Sequence, residues 1–271
     1  MKTIAWLDFN LDNFHAAKFL ELFRGPLAAR GWQVGSVFAL DEEGSRAWAS
    51  ENGVTLVSSP DELAPCDAAM VLAPGHPEHH LKLATQAFNL GVPVYVDKPL
   101  AESLDVASEI FRRADAKGVP VFTSSALRYG TGLTEGLASR GGKDAIEHIR
   151  VWGGSGSFSE YAIHSVEIMV SILGPNATEI TSTSAGRQTM IHAEFVGGKS
   201  GTVFFHPHSD THYQAMLSTA RETSHVLCAG PTMFECLAGA VLDFFESGNS
   251  PVPREESLLI RRILDDANPG G

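Results

Sequence analysis

Strand-like and helix-like segments alternate without interruption from Thr3 to Thr123, and this rhythm constrains the fold more than any other feature of the chain. Short apolar runs at Thr3–Leu7, Gln33–Leu40, Thr55–Val57, Ala68–Leu72, Val92–Val96 and Pro120–Thr123 read as strands. Between them, Phe14–Phe23, Ser45–Glu51, His80–Asn89 and Ser103–Lys117 carry helical signatures, with Gly53 and Gly91 just past two of their ends. Strands joined through helices form βαβ units, so the spacing predicts an α/β fold with a doubly wound parallel sheet.

Near Ser124 the rhythm changes. Ala145–Trp152, Glu179–Ser184, Thr189–Val196, Ser200–His206 and Tyr213–Ser218 read as strands with short connections rich in Gly and Asn, such as Val196–Lys199. These are hairpin signals, so the second half is expected to be an α+β domain on a mostly antiparallel open sheet. Helices are expected at about Tyr161–Leu173, Phe234–Phe245 and Glu255–Asp266. The division predicted from the sequence is residues 1–124 and 125–271, with the ligand in the cleft that two domains in series imply.

The formal net charge of −12 argues against nucleic acid or an anionic membrane as partner, since both select basic surfaces. The charge gives no hint of a substrate, because such a surface is also simply soluble. Three scattered cysteines, Cys66, Cys228 and Cys236, form no disulfide framework and fit reduced thiols in the cytoplasm. Asp8 follows the first apolar residues at once, so no signal-peptide core is read there, and no apolar run is long enough for a bilayer.

The chemistry centres on Leu90–Leu100. A β-branched run ends in Asp97-Lys98-Pro99, which places Lys98 at the carboxyl end of a buried strand, where open α/β sheets bind ligands. On spacing alone, a solvated lysine at a strand end is the simpler reading. Three further stretches change that balance.

The pattern resembles the Gfo/Idh/MocA oxidoreductase family, whose members pair a dinucleotide-binding domain with a C-terminal α/β domain on an open sheet. Pro74, His79 or His80, Gly91 and Asp97-Lys98-Pro99 follow the family's order, with Asp for the usual Glu and a stretched Pro-to-His spacing. Glu160, Ala162, His164 and Glu167 stand at the offsets of a second motif, and the tail Val241–Gly248 resembles a third. The resemblance implies a Rossmann-like first domain and oxidation or reduction of a sugar, polyol or related hydroxy compound with NAD or NADP. By the same resemblance, Lys98 is the cation and relay, His164 the base and Glu160 a supporting carboxylate. Arg128 and Tyr129 fall where the family carries substrate contacts, although a buried structural arginine fits Arg128 equally. A homodimer or homotetramer through the open sheet is also implied.

The cofactor end departs from the family. His15 fits the histidine that follows the Gly-x-Gly-x-x-Gly fingerprint, but Leu7, Phe9 and Asp12 stand where its glycines would be. Those glycines permit a tight turn and close approach of the pyrophosphate. Asp8 and Asp12 add negative charge at that place, worth roughly 1–4 kcal/mol per close pair of charges. Asp8, Asn10, Asp41, Pro74, His79, Asp97 and Lys98 are the positions expected to line the cofactor. Among them, Asp41 at the end of the second strand fits a ribose hydroxyl and so favours NAD, or is an ordinary turn residue.

His206, His208 and His212, with Asp210 between them, have no counterpart in the family pattern. His-x-His at a strand end places two rings on one side, within reach of a metal ion. A polar loop on a sheet rim is the favoured reading, so no metal is expected. Three functions stay open: a nicotinamide-dependent oxidoreductase, a metal-assisted isomerase or lyase on the same fold, and a ligand-binding protein without catalysis.

Overall fold

The computed structural model describes residues 1–267. They divide into two units, Met1–Thr123 with Leu237–Val252, and Ser124–Cys236 with the segment from Pro253 onward.

In the first unit, β1 (Lys2–Asp8), β2 (Trp32–Ala39), β3 (Thr55–Val57), β4 (Ala68–Val71), β5 (Val94–Val96) and β6 (Val121–Phe122) form one sheet in the order β3-β2-β1-β4-β5-β6. Every neighbouring pair is parallel. Helices α1 (Phe14–Arg24), α2 (Glu42–Asn52), α3 (His80–Phe88) and α4 (Leu104–Lys117) make the crossovers. β4 and β5 are buried along their whole lengths, as expected of parallel strands covered on both faces. Side chains cap three helices: Asn13 for α1, Asp41 for α2 and Ser103 for α4 each accept a hydrogen bond from the first turn. The strand order is the doubly wound order, with its reversal between β1 and β4.

The sheet of the second unit runs β12-β11-β7-β10-β9-β8. Its strands are β7 (His148–Ser155), β8 (Ala177–Ala185), β9 (Gln188–Phe195), β10 (Lys199–Pro207), β11 (Gln214–Ser218) and β12 (Thr223–Leu227). Only β7 and β10 pair in parallel; the other neighbours are antiparallel. One face is apolar: Ile149 and Val151 of β7, Ile191 and Ala193 of β9, Val203 and Phe205 of β10, and Ala215 and Leu217 of β11 are all buried. Helix α6 (Phe158–Leu173) covers that face, and α8 (Arg254–Asp266) packs on α6.

Two elements here lie outside the sequence reading. Strand β12 and helix α5 (Thr131–Ala138) explain each other. A Cβ at Gly130 would strike the carbonyl of Cys228, and one at Gly132 the carbonyl of Leu227, so glycine lets the helix lie directly on the strand.

A single cut near residue 124 also misses one return of the chain. Helix α7 (Met233–Ser247) carries residues 237–247 back to the first unit. There Phe244 packs on Phe122, Phe245 on Trp32, and Glu246 accepts from Trp32 Nε1 and Arg30.

Candidate active site

In the first unit, titratable groups gather where β1, β4 and β5 end, at the switch point of the sheet. Asp8 closes β1 and is fully buried. Its carboxylate accepts from Phe9 N (2.7 Å), Ala73 N (2.8 Å) and Asn13 Nδ2 (2.9 Å). Burial nonetheless dominates and, with the negative charge of Asp97 adding to it, pushes the Asp8 pKa up to about 7. Asp97, just beyond β5, is buried as well, with Oδ2 2.6 Å from His15 Nδ1 and Oδ1 accepting from Tyr95 Oη at 3.2 Å. Burial works to raise its pKa, but His15, then Lys98 and His80, outweigh it and hold Asp97 below the ordinary carboxylate range. His80, fully buried at the start of α3, faces the carbonyl oxygens of Leu72, Ala73 and Leu100, and burial lowers its pKa. Lys98 follows in this row, 9% exposed and joined to Pro99 by a cis peptide. The contact between His15 Nδ1 and Asp97 Oδ2 ties α1 to the end of β5.

The turn after β1 does not fit a pyrophosphate held in the manner of the glycine fingerprint. Its backbone donors serve the chain itself: Phe9 N bonds Asp8, Leu11 N bonds Ser45 Oγ (3.0 Å), Asp12 N bonds Asn10 Oδ1 (2.8 Å), and Ala16 N bonds the Asn13 cap (2.9 Å). Leu11 is fully buried beneath the turn. Asn10 also donates to Asp41 Oδ2 at 2.8 Å, while Asp41 Oδ1 accepts from Gly44 N at 3.0 Å. Asn10 and Asp41 therefore act first as ties between two loops and as a helix cap. A dinucleotide bound by this chain must be held by other groups.

Pro74 follows the buried end of β4, and His79 lies in the loop beyond it. The Phe9 ring, standing where a glycine is missing, stacks on His79 with centroids 4.9 Å apart and leans on His76 at 4.4 Å.

In the second unit, α6 is already helical at Glu160, so Glu160 and His164 do share the face that i and i+4 spacing requires. His164 Nδ1 is 2.7 Å from Ser125 Oγ, and its ring meets the edge of Tyr213 at 5.4 Å. Burial raises the pKa of Tyr161, and the Glu160 carboxylate beside it raises it further. One turn on from His164, the buried Glu167 accepts from Ser124 Oγ (2.6 Å), Ser125 N (2.9 Å) and Arg128 Nε (2.9 Å). Arg128 Nη1 reaches Glu256 on α8 at 2.8 Å. Arg128 is thus a clamp between two carboxylates, with its side chain 9% exposed. Burial pushes the neighbouring Tyr129 phenol up to about 12.

Sequence reasoning missed Ser125, which orients His164 from a segment with no motif of its own. It also missed the cluster His76, Glu78 and His79, the one group among the described residues whose ligating atoms converge as a metal site would require. The other histidines do not form such a group: His206 ends β10 half-buried, and His208 and His212 are exposed. His192 bonds Thr202 across β9 and β10 at 3.0 Å.

Fold and site together define a class: an α/β protein with a dinucleotide-type domain, a lysine at its switch point and a second domain on an open mixed sheet. Residues 14–125 match the model of the Gfo/Idh/MocA family, described as an oxidoreductase family with an NAD-binding Rossmann fold. No curated protein matches the chain. Among solved structures, a myo-inositol dehydrogenase from Corynebacterium glutamicum is similar with TM-score 0.81 and 14% identity, covering 100% of this chain and 97% of that one. An oxidoreductase from Agrobacterium radiobacter in complex with NAD+, L-tartaric acid and magnesium has TM-score 0.77 and 14% identity, covering 100% and 97%. Biliverdin reductase from Synechocystis, in complex with biliverdin and NADP+, has TM-score 0.73 and 16% identity, covering 97% and 96%. At these identities the likeness is one of fold.

Proposed function

We propose that this chain is an NAD- or NADP-dependent oxidoreductase of a sugar, polyol or related hydroxy compound, with Lys98 and His164 handling the proton. The observation that carries this reading is Lys98 itself. It stands at the end of β5, directly after an aspartate that His15 fixes, inside the segment that matches an NAD-binding oxidoreductase family. Oxidising a carbinol requires removal of the hydroxyl proton and a cation that favours the developing alkoxide. The proposal gives His164 Nε2 the proton, because Nδ1 faces Ser125 Oγ, and gives the Lys98 ammonium the alkoxide. Glu160 supports from the same helix face. A myo-inositol dehydrogenase of the same fold makes a polyol the first substrate class to try.

The self-satisfied turn after β1 favours a second reading: non-redox acid/base chemistry, such as isomerisation or lyase chemistry, on the same residues. Both readings place the protein in the cytoplasm with a small-molecule ligand. They also include a homodimer or homotetramer built on the open face of the second sheet, where Trp152 and Phe204 stack at 5.2 Å and stay half-buried; light scattering on the purified chain reads this directly.

The test is turnover with NAD or NADP across a panel of polyols and sugar acids. Lys98→Ala and His164→Ala should each abolish it while far-UV circular dichroism stays unchanged. Near-normal turnover in both variants would remove these two residues from the mechanism.

A further inference from the structure

We propose that His76, Glu78 and His79 form a binding site for one divalent first-row transition ion of the zinc type. The three side chains come from the loop between β4 and α3, where the spacing from Pro74 to the helix is stretched. His76 Nδ1 lies 3.1 Å from Glu78 Oε1, and His79 Nε2 lies 3.8 Å from the same oxygen. All three ligating atoms fall within 4.8 Å of one another. Ligands bound at 2.0–2.2 Å to a tetrahedral ion stand about 3.3–3.6 Å apart, and the two spacings to Glu78, 3.1 and 3.8 Å, lie on either side of that edge length. Two imidazoles and one carboxylate form a His2Glu set, which leaves at least one coordination position for water or a ligand oxygen. The side chains are 44%, 51% and 32% exposed for His76, Glu78 and His79, so an ion can enter from solvent.

The loop holds this geometry before any ion arrives. Ala73 and Gly75 both adopt positive φ, at 37° and 77°, and Pro77 starts the short helical turn that carries Glu78 and His79. His76 N donates to Ala73 O and His79 N to His76 O, each at 3.0 Å. From the other side, Phe9 packs on both imidazoles and fixes their planes, the His79 ring within 9° of parallel. Two departures from the family pattern therefore meet. The residue standing for a lost glycine supports the residues of the stretched loop. A cation there supplies positive charge beside a turn whose own donors serve Asp8, Asn10, Asn13 and Ser45.

The test uses the full, tag-free chain, stripped with chelator and dialysed, and titrated calorimetrically with zinc chloride. Cobalt(II) absorption reports ligand geometry in parallel. The expected result is one ion per chain, with His76→Ala, His79→Ala and Glu78→Gln each weakening binding at least tenfold. A triple variant at His206, His208 and His212 should bind as the unaltered chain does. Unchanged circular dichroism of the metal-free variants separates lost ligation from lost folding. The proposal is overturned by no stoichiometric uptake, by single variants that bind normally, or by loss of the ion in the triple variant. None of these outcomes depends on whether the chain turns over a hydroxy compound.

Discussion

Arg128→Met should destabilise the second unit severely. The guanidinium sits 2.9 Å from Glu167 and 2.8 Å from Glu256, and the three side chains are only 9%, 4% and 11% exposed. Burial alone would lower the arginine pKa, but Glu167 and Glu256 together raise it above its ordinary value. Methionine fills the space of the aliphatic stem and supplies no charge, leaving two buried carboxylates facing each other. Glu167 keeps Ser124 Oγ and Ser125 N, so part of its solvation survives. Removing one partner of a buried ion pair costs about 3–5 kcal/mol, and this variant exposes two carboxylates to that cost. Domains of this size are stable by roughly 5–15 kcal/mol, so the effect is a large share of the total. Arg128→Lys should fall between, because one ammonium cannot fork to two carboxylates. The triple replacement Arg128→Met, Glu167→Gln, Glu256→Gln should recover much of the loss, since no unpaired charge stays buried. Urea unfolding gives the total, and hydrogen exchange at α6 and α8 amides reads the second unit alone. If Arg128→Met lies within about 1 kcal/mol of the unaltered chain, the clamp is not the structural element described here.

If His164 is the base proposed above, Ser125→Ala should lower kcat by roughly tenfold or more with KM little changed, because the hydroxyl positions the His164 ring. A shifted pH profile of kcat distinguishes this from a general loss of stability. Asp8 should make the first unit less stable as pH rises from about 4 to about 7. In that window the folded chain keeps a proton that the unfolded chain has released, and the integrated loss is about 4 kcal/mol. Asp97, with its pKa held down, works oppositely and gives stability that is lost as pH falls below the carboxylate range. Asp8→Asn should flatten the decline, read as unfolding free energies at pH 5 and pH 8; an unchanged decline would place the proton elsewhere.

Much of the first unit is legible in the sequence because parallel strands are buried on both faces and therefore read as unbroken apolar runs. Ala68–Val71 and Val94–Val96 are of this kind, and Lys98 follows directly from the second. Strand β12 is not legible: Thr223–Leu227 alternates exposed and half-buried residues at a sheet edge, with no buried face to impose a pattern. Helix α5 carries two glycines that lower its propensity and are explained only by the strand it touches. The site divides the same way. His164 and Glu160 lie on one helix within a contiguous stretch that resembles a family motif, so that resemblance picks them out and the i, i+4 spacing puts them on one face. Ser125, Arg128, Glu167 and Glu256 meet across long separations in the chain, and no local rule brings them together. The Phe9 contact with His76 and His79 is invisible for the same reason, since the two loops are neighbours only because β1 and β4 pair.

A nicotinamide dinucleotide is expected to bind this chain although its first turn lacks the glycines. Titrating the purified protein with NADH and with NADPH, and following nicotinamide fluorescence, tests it most directly. Saturable binding of at least one of the two below millimolar concentration is the expected result. Absence of any binding at millimolar concentration would contradict it and leave the non-redox reading in its place.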